Sequence, residues 1–298
     1  MKIFFYLFVF FISFLNYLHA QSCKGTPLFM SKKGFDPTRS ALSSQEKKIR
    51  GVALIEFEDA RNPNGNRTKL YQNPSWLMTG YAGSITTSRY GDLYVLPKAN
   101  VNMLYNQPKD QNTIYKIDSE SGIMSSWLSL PMKKSPGESN ANGLLSAYYD
   151  CDVDALMVSS IAGSTQKEEM GTIFCVDIRT KDFFVLLNNI DVLAILTAKV
   201  GVEKKLFYGL ARKSEIWSVN LDAHNKIVGA PQLEINLEGI GPRGDDKARK
   251  MRMDQNNLLI VYGVPFFYNL TAPVTRQETI YVYQFNSVSK KWILKSMN

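Results

Sequence analysis

An alternating run of carboxylates is the strongest candidate for metal chemistry in the sequence. Asp150, Asp152 and Asp154 lie close together, and converging carboxylates can bind Ca²⁺, which takes about six to eight oxygen ligands. Ala155 follows the run directly, without the glycine and the distal glutamate of a calcium-binding loop. We therefore expect a hairpin turn here, and keep the three aspartates as candidate ligands of Ca²⁺ or another divalent metal.

The scarcity of histidine limits the catalytic sites that the chain can build. The sequence contains two histidines, His19 near the N-terminus and His224 in a polar turn. A Ser-His-Asp hydrolase would need its general base at His224, and a typical zinc site needs more His and Cys ligands than the chain offers. We predict neither chemistry, and assign no catalytic residue.

The three cysteines bear on the redox compartment. They are Cys23, Cys151 and Cys175, and in an oxidising compartment one pair can form a disulfide. Cys151 and Cys175 belong to the same repeat unit, defined below, so they are the favoured pair. Two buried free thiols are the alternative.

Two other kinds of short motif occur. Asn66 and Asn269 each begin an N-glycosylation sequon, which matters in a eukaryotic source. The tripeptide at residues 243–245 matches the Arg-Gly-Asp adhesion motif, although a match of this length often arises by chance. We expect an ordinary solvated turn there.

The N-terminus has the three-part layout of a secretory signal peptide. Lys2 precedes an apolar run from Ile3 to Leu18, and Ala20 supplies the small residue before cleavage. The run is shorter than the roughly 20 residues that span a bilayer. We predict a signal peptide over residues 1–20, a secreted or periplasmic mature chain, and no transmembrane segment in that chain. As an alternative, residues 20–23 loosely resemble a bacterial lipobox that would acylate Cys23.

The charge distribution argues against nucleic acid as a partner. The chain has a formal net charge of +8, but its basic residues are scattered along the sequence. Nucleic-acid-binding domains usually concentrate such residues in a stripe. We expect the excess charge to favour solubility and weak attraction to anionic surfaces.

A strand–turn–strand unit recurs along the chain and predicts the fold. Each copy has an alternating strand, a polar turn and a second extended run, and copies are spaced about 40 to 65 residues apart. Such alternation is typical of half-buried β-strands. The copies begin at Leu54, Ile114, Ile173, Ile216 and Ile280.

A second hairpin precedes four of these units, which makes four strands per repeat. These hairpins cover residues 84–96, 143–161, 192–210 and 248–263. Four short strands per repeat are the signature of β-propeller blades. We predict an all-β propeller of about five blades (four to six) over residues 51–298, the first showing only its outer hairpin, after an N-terminal extension at 21–50. A β-sandwich or a pair of small barrels is the alternative.

These units resemble the bacterial propellers of the NHL-like, quinoprotein-like and gluconolactonase or regucalcin-like families. The resemblance rests on strand rhythm and covers nearly all of the chain after residue 20. The lactonases among these families hold a divalent metal at the propeller axis with acidic and Asn ligands. Asn140 and Asn142, just before a predicted inner strand, are the residues nearest to such an Asn. The resemblance therefore implies a metal-dependent lactonase or hydrolase as one candidate function.

Loop length predicts which face of the propeller is functional. In propellers the loops between second and third strands and the links between blades emerge on one face, and here these segments are long. Long loops on a rigid scaffold often carry function. The leading prediction is a binding or scaffold protein for a peptide, glycan or protein partner, although Phe266 and Phe267 also suit packing within their own loop. The candidate binding residues are Asn100, Asn102, Tyr105, Asn140, Asn142, Phe266, Phe267 and Tyr268.

Overall fold

The structure is a computed structural model that describes Cys23 and residues 25–46, 49–59, 65–101, 104–137, 139–270 and 277–298. The predicted signal peptide lies outside these residues. No helix in the described part of the chain is long and apolar enough to cross a membrane.

The described residues form five antiparallel sheets, which are the blades of a β-propeller. Blade 1 contains β1 (Ser40–Ser43), β2 (Ala53–Phe57) and β3 (Arg67–Tyr71). Blade 2 contains β4 (Ala82–Thr87), β5 (Leu93–Pro97), β6 (Thr113–Ile117) and β7 (Met124–Ser129). Blade 3 contains β8 (Leu144–Asp150), β9 (Ala155–Ser160), β10 (Thr172–Asp177) and β11 (Phe183–Asn188). Blade 4 contains β12 (Val192–Val200), β13 (Glu203–Leu210), β14 (Glu215–Leu221) and β15 (Ile227–Asn236). Blade 5 contains β16 (Lys247–Met253), β17 (Leu258–Val264), β18 (Thr279–Asn286) and β19 (Lys291–Met297).

Helical structure is sparse. Helix α1 spans Leu28–Lys32, and two 3₁₀-helices span Pro74–Thr79 and Pro108–Asp110. The prediction of an all-β propeller of about five blades is therefore confirmed, and the sandwich and barrel alternatives are wrong.

Burial explains why the sequence forms blades rather than one flat sheet. The middle strands β9 and β10 are buried on both faces along most of their length, whereas the outer strand β11 has exposed positions. Strands buried on both faces read as apolar runs, and here both faces pack against neighbouring blades. The apolar core is accordingly divided into layers between successive blades. The inner strands β4, β8, β12 and β16 contact one another in that order.

Blade 1 differs from the other four. Its outer hairpin, β2 and β3, was predicted, and its third described strand, β1, lies within the segment assigned to an N-terminal extension. Helix α1 of the same segment inserts Phe29 and Met30 into the core between blades 1 and 2. The Phe29 ring meets the ring of Trp76 edge-on, at a centroid distance of 5.7 Å.

The prediction of a Cys151–Cys175 disulfide is wrong. Cys23 is bonded to Cys151, with their Cα atoms 5.7 Å apart, and Cys175 is a buried free thiol. Cys151 packs against the core between blades 2 and 3, whereas Cys175 lies in the core between blades 3 and 4. The two sulfurs therefore occupy opposite sides of blade 3. The bridge also occupies the Cys23 sulfur that the lipid-anchor alternative would need.

Two faces of the propeller are distinguished by their loops. The long-loop face carries the second-to-third-strand loops and the links between blades, including residues 98–112, 130–143, 161–171, 189–191 and 265–278. The opposite, short-turn face carries hairpin turns such as those at residues 151–154 and 254–257. Asp154 and Asn257 adopt positive φ of 52° and 58° in these turns, a conformation that Asn and Asp tolerate better than most residues.

Candidate functional site

A buried carboxylate organises the long-loop face. Asp191 immediately precedes β12, and its side chain is fully buried. One carboxylate oxygen accepts hydrogen bonds from Ser164 Oγ at 2.5 Å and from the backbone N–H of Gly171 at 3.0 Å. The other accepts from the Tyr268 hydroxyl at 2.5 Å and lies 3.5 Å from Nε of Arg212. We call these five residues the Asp191 cluster.

The Asp191 cluster joins loops that are distant in sequence. Ser164 and Gly171 belong to the long loop of blade 3, and Tyr268 to the long loop of blade 5. Gly171 is required by close packing, because a Cβ atom there would overlap the backbone oxygen of Ile190. Hydrogen bonds made by a charged group are among the stronger ones in proteins. The cluster therefore fixes the long loops of blades 3 and 5 relative to the start of β12.

Arg212 also binds the middle of the blade 3 loop. Its guanidinium donates to the backbone oxygens of Thr165 and Gln166, the latter at 2.7 Å. The same guanidinium lies over the Tyr268 ring, 5.2 Å from the ring centroid, and its Nε is 3.6 Å from the Glu169 carboxylate. These backbone and ring contacts add to the loop's own hydrogen bonds, such as that from the Met170 N–H to Ser164 Oγ at 2.9 Å.

Burial controls the protonation of the cluster. Desolvation raises the pKa of Asp191, and hydrogen bonds from Ser164 and Tyr268 act in the opposite direction. Desolvation also raises the pKa of Tyr268, and the hydrogen bond to Asp191 raises it further. The phenol therefore keeps its proton and acts as a donor to the carboxylate.

Two predicted asparagines support the same loop of blade 5. Asn140 is buried, and its Nδ2 donates to the Ile161 carbonyl at 2.9 Å. Its Oδ1 accepts from Asn142, through the backbone N–H at 2.9 Å and through Nδ2 at 3.0 Å. Asn142 Nδ2 also donates to the Tyr268 backbone oxygen at 3.4 Å. The structure thus brings together Asn140, Asn142 and Tyr268, which the sequence predicted, around a centre that it did not predict.

An open groove of about 510 Å³, lined by residues with polar side chains, adjoins the Asp191 cluster. The residues that line the groove are positioned by the contacts described above. Ser139 directly precedes Asn140, and Asn269 directly follows Tyr268. The backbone of Thr165 and Gln166 is hydrogen-bonded to Arg212. The lining consists of hydroxyl, amide and ammonium groups, which supply both donors and acceptors. The groove is lined by Ser139, Thr165, Gln166, Lys167 and Asn269.

The other predicted binding residues lie apart from the groove. Tyr105 is 42% exposed, and the Arg50 guanidinium stacks on its ring at 3.7 Å. The Phe266 ring packs edge-on against Tyr268 at 5.2 Å, which supports its alternative role in packing the loop. Phe267 is 52% exposed. Asn100 is half-buried at the base of the blade 2 loop, and Asn102 lies outside the described residues.

The three candidate metal ligands each have a cationic partner. Asp150 Oδ2 is 2.6 Å from Lys204 Nζ, and Asp152 Oδ2 lies 3.4 Å from Lys199 Nζ. Asp154 pairs with Arg89 at 2.9 Å and also accepts a hydrogen bond from the Tyr149 hydroxyl. The carboxylates therefore stabilise the short-turn face through ion pairs. Within the described ranges, His, Cys, Asp and Glu side chains form no group of three placed to hold a metal.

The remaining motifs have local roles or exposed positions. In the Arg-Gly-Asp tripeptide, the Arg243 guanidinium is paired with Asp246, at 2.6 Å from Nε to Oδ1. His224 lies in an exposed turn. Both sequon asparagines are exposed, Asn66 between β2 and β3 and Asn269 at the groove.

Sequence reasoning missed Asp191, Ser164 and Arg212. Their side chains meet only in the folded chain: Asp191 and Tyr268 are 77 residues apart in sequence. One usable signal was the position of Asp191, directly before an inner strand on the long-loop face.

Comparisons with known proteins support the fold and nothing finer. No protein-family model matches the chain, and no curated protein matches it. A solved luciferin-regenerating enzyme superposes with a TM-score of 0.52 and 11% identity, over 88% of this chain and 72% of that chain. A hypothetical selenium-binding protein from Sulfolobus tokodaii gives a TM-score of 0.46 and 12% identity, over 87% and 73%. A glucose dehydrogenase gives a TM-score of 0.44 and 13% identity, over 80% and 76%. At these identities the chain is similar to them in its propeller fold alone.

Proposed function

We propose that this chain is an exported binding protein that holds a polar ligand, a glycan or a peptide, in the groove beside the Asp191 cluster. The observation that carries the proposal is the fixing of two long loops by one buried carboxylate, through the contacts of Ser164, Gly171 and Tyr268. Loops that are already ordered lose little conformational entropy when a ligand binds.

The groove chemistry supports a ligand rich in hydroxyl or amide groups. Gln166 and Asn269 offer side-chain amides, Ser139 and Thr165 offer hydroxyls, and Lys167 adds one cation. Amides and hydroxyls each supply donors and acceptors, as sugar hydroxyls and peptide groups do. A protein partner presenting an extended segment would satisfy the same groups.

Export to an oxidising compartment is the second element of the proposal. Cleavage after Ala20 would make Cys23 the third residue of the mature chain, where it forms the bridge to Cys151. Disulfides of this kind persist mainly outside the cytosol. The measurement is the intact mass of the protein recovered from an exported fraction, which should lack residues 1–20. A chain that retains them, or one that is found only in the cytosol, would contradict export.

Array screening followed by calorimetry tests the groove. Mature protein is screened against glycan and peptide arrays, and the affinity for the best ligand is measured for the double variant Gln166→Ala/Asn269→Ala. Loss of two ligand hydrogen bonds should weaken binding about tenfold or more. The matched control is Gln255→Ala/Asn256→Ala, which removes the same two exposed side-chain types from the short-turn face. Equal affinity in both variants, or the absence of any array ligand, would contradict the proposal.

A further inference from the structure

Basic residues occur throughout the sequence, but the net charge of the chain is concentrated in blade 5. Residues 247–298, which include all four strands of this blade, contain eight basic and two acidic residues, so they carry +6 of the chain's net charge of +8. The outer hairpin, β18 and β19, contains no acidic residue, and its lysines Lys290, Lys291 and Lys295 are exposed. A local excess of this kind attracts anionic partners.

The strand register brings two of these cations together on one face of blade 5. Ala248 and Met251 of β16 pack in the core shared with blade 4. Lys250 and Arg252 flank Met251, so they lie on the opposite face of the sheet, and both are exposed. Lys250 Nζ lies 5.4 Å from the centroid of the Tyr262 ring, and Arg252 Nε donates to the Tyr262 hydroxyl at 3.1 Å. The two cations are therefore neighbours through a shared aromatic side chain.

The same face continues into a groove of about 410 Å³ at the outer hairpin, which we call the blade 5 groove. The register places Arg252 opposite Ile260, and Ile260 opposite Val282. Gln284 lies two positions beyond Val282 in β18, so it is on the same face. Gln284 lines the groove together with Ile293, its partner in β19. The lining also includes Asn286, Val288 and Lys295.

The equivalent face of blade 4 shows what a blade face contains when it is buried. Leu196, Phe207 and Ile216, from three successive strands, are at most 1% exposed and pack against blade 5. Blade 5 instead has Lys250 and Arg252 on its inner strand, and neither forms an ion pair with a carboxylate of the described residues. Burying unpaired cations against apolar side chains would be costly. This face is therefore suited to contact with an anionic partner.

We propose that this face of blade 5 binds an extended acidic segment of a partner protein, with carboxylates at Lys250 and Arg252 and apolar side chains in the blade 5 groove. Alternate residues of an extended chain lie about 6.8 Å apart on one side, and Lys250 and Arg252 have the same spacing within β16. A polypeptide fits better than a nucleic acid or a sulfated glycan, because Val288 and Ile293 in the groove expose 92% and 46% of their surfaces. The site is separate from the groove beside the Asp191 cluster and does not depend on the function proposed for it.

A designed peptide tests this site in the intact mature protein. The probe is a fluorescent decapeptide that alternates glutamate with valine and threonine, and its control has glutamine in place of every glutamate. Anisotropy titration should show binding of the glutamate peptide and about tenfold weaker binding of the glutamine peptide. Lys250→Gln/Arg252→Gln should weaken binding of the glutamate peptide about tenfold, through loss of two exposed ion pairs. The matched control is Arg179→Gln/Lys181→Gln, which removes the same two charges at the same spacing from an exposed turn of blade 3 and should not weaken it.

Ile293→Asn distinguishes an acidic polypeptide from polyanions in general. This variant should weaken the glutamate peptide about fivefold, because it removes an apolar contact, and should leave the affinity for heparin unchanged. An unchanged Tm shows that each variant is folded. The proposal is overturned if the glutamate peptide does not bind, if the blade 3 variant weakens binding as much as the blade 5 variant, or if Ile293→Asn has no effect on the peptide. It is also overturned if heparin or duplex DNA binds the blade 5 face more tightly than the peptide at equal charge concentration.

Discussion

A single buried carboxylate does more to shape the candidate site than any residue of the groove itself. Asp191 has no access to solvent, yet it receives hydrogen bonds from two loops and an ion pair from a third segment. Buried charges are retained in proteins when they are paired and hydrogen-bonded. Asp191 meets both conditions, so we assign it a positioning role rather than direct contact with a ligand.

Removing the Tyr268 hydroxyl, which donates a hydrogen bond to Asp191, should destabilise the fold. Tyr268→Phe leaves one carboxylate oxygen short of a hydrogen bond from a buried donor, so the free energy of unfolding should fall by about 2 kcal/mol. Tyr262→Phe is the matched control, because its hydroxyl accepts only an exposed hydrogen bond from Arg252. Urea denaturation measures both. A Tyr262→Phe effect as large as that of Tyr268→Phe would contradict the role of the cluster.

The raised pKa of Asp191 predicts the pH dependence of stability. Its folded-state pKa lies above the ordinary value of 3.8, so the folded protein binds this proton more tightly than the unfolded chain does. The contribution is fully present below pH 3.8 and is lost as the pH rises through the folded pKa. The stability of the wild type relative to Asp191→Asn should therefore decrease as pH increases. Urea denaturation of both proteins from pH 3.8 upward measures this difference. A wild type that gains stability relative to Asp191→Asn as the pH rises would contradict the prediction.

Sequence predicted those parts of the site whose residues lie close together along the chain, and missed contacts between residues that are far apart in sequence. Asn140 and Asn142 were found because they lie in a long loop directly before an inner strand. The contact between Tyr268 and Asp191 was not found, because nothing local connects residues separated by 77 positions. The sequence grouped Asp150, Asp152 and Asp154 as candidate metal ligands, whereas in the fold Asp150 and Asp152 share Lys204 as an ion-pair partner and Asp154 pairs with Arg89.

At the scale of elements, alternation predicted the strands of blades 2 to 5 well, because each strand is buried on a face that neighbouring blades supply. It did not predict α1, which is only five residues long. Such a short helix gains little from intrinsic propensity, and it is fixed instead by burial of Phe29. Strand β1 has four residues and no fully buried position, so it lacked the pattern that identifies the others.

The disulfide ties this N-terminal segment to blade 3. Cys23 and Cys151 are 128 residues apart in sequence, and cross-links that close long loops stabilise chiefly by restricting the unfolded chain. Replacing both by serine should lower the free energy of unfolding by about 4 kcal/mol. Urea denaturation provides the measurement.

The control for the disulfide is the free thiol. A reductant should lower the free energy of unfolding of Cys175→Ser as much as that of the wild type, because Cys175 is a free thiol and its replacement leaves the bridge intact. Peptide mapping without reduction should recover Cys23 joined to Cys151. Recovery of a Cys151–Cys175 peptide would contradict the assignment.

At the scale of the whole molecule, the propeller presents its candidate site on the long-loop face. The groove near blades 3 and 5 is lined by residues with polar side chains and adjoins loops that a buried carboxylate fixes. The sequence predicted that this face is functional from loop length alone. It could not locate the groove on that face, because the groove depends on contacts between the loops of blades 3 and 5 that form only in the folded chain.

The central claim is that ligands bind the long-loop face through the groove beside Asp191. Hydrogen–deuterium exchange of the mature protein, with and without the best array ligand, tests it most directly. We predict slower exchange in segments 139–142, 164–171 and 266–270, and unchanged exchange in the short-turn segments 150–154, 222–226 and 254–257. Slower exchange confined to the short-turn face, or no change in the groove segments at saturating ligand, would contradict the claim.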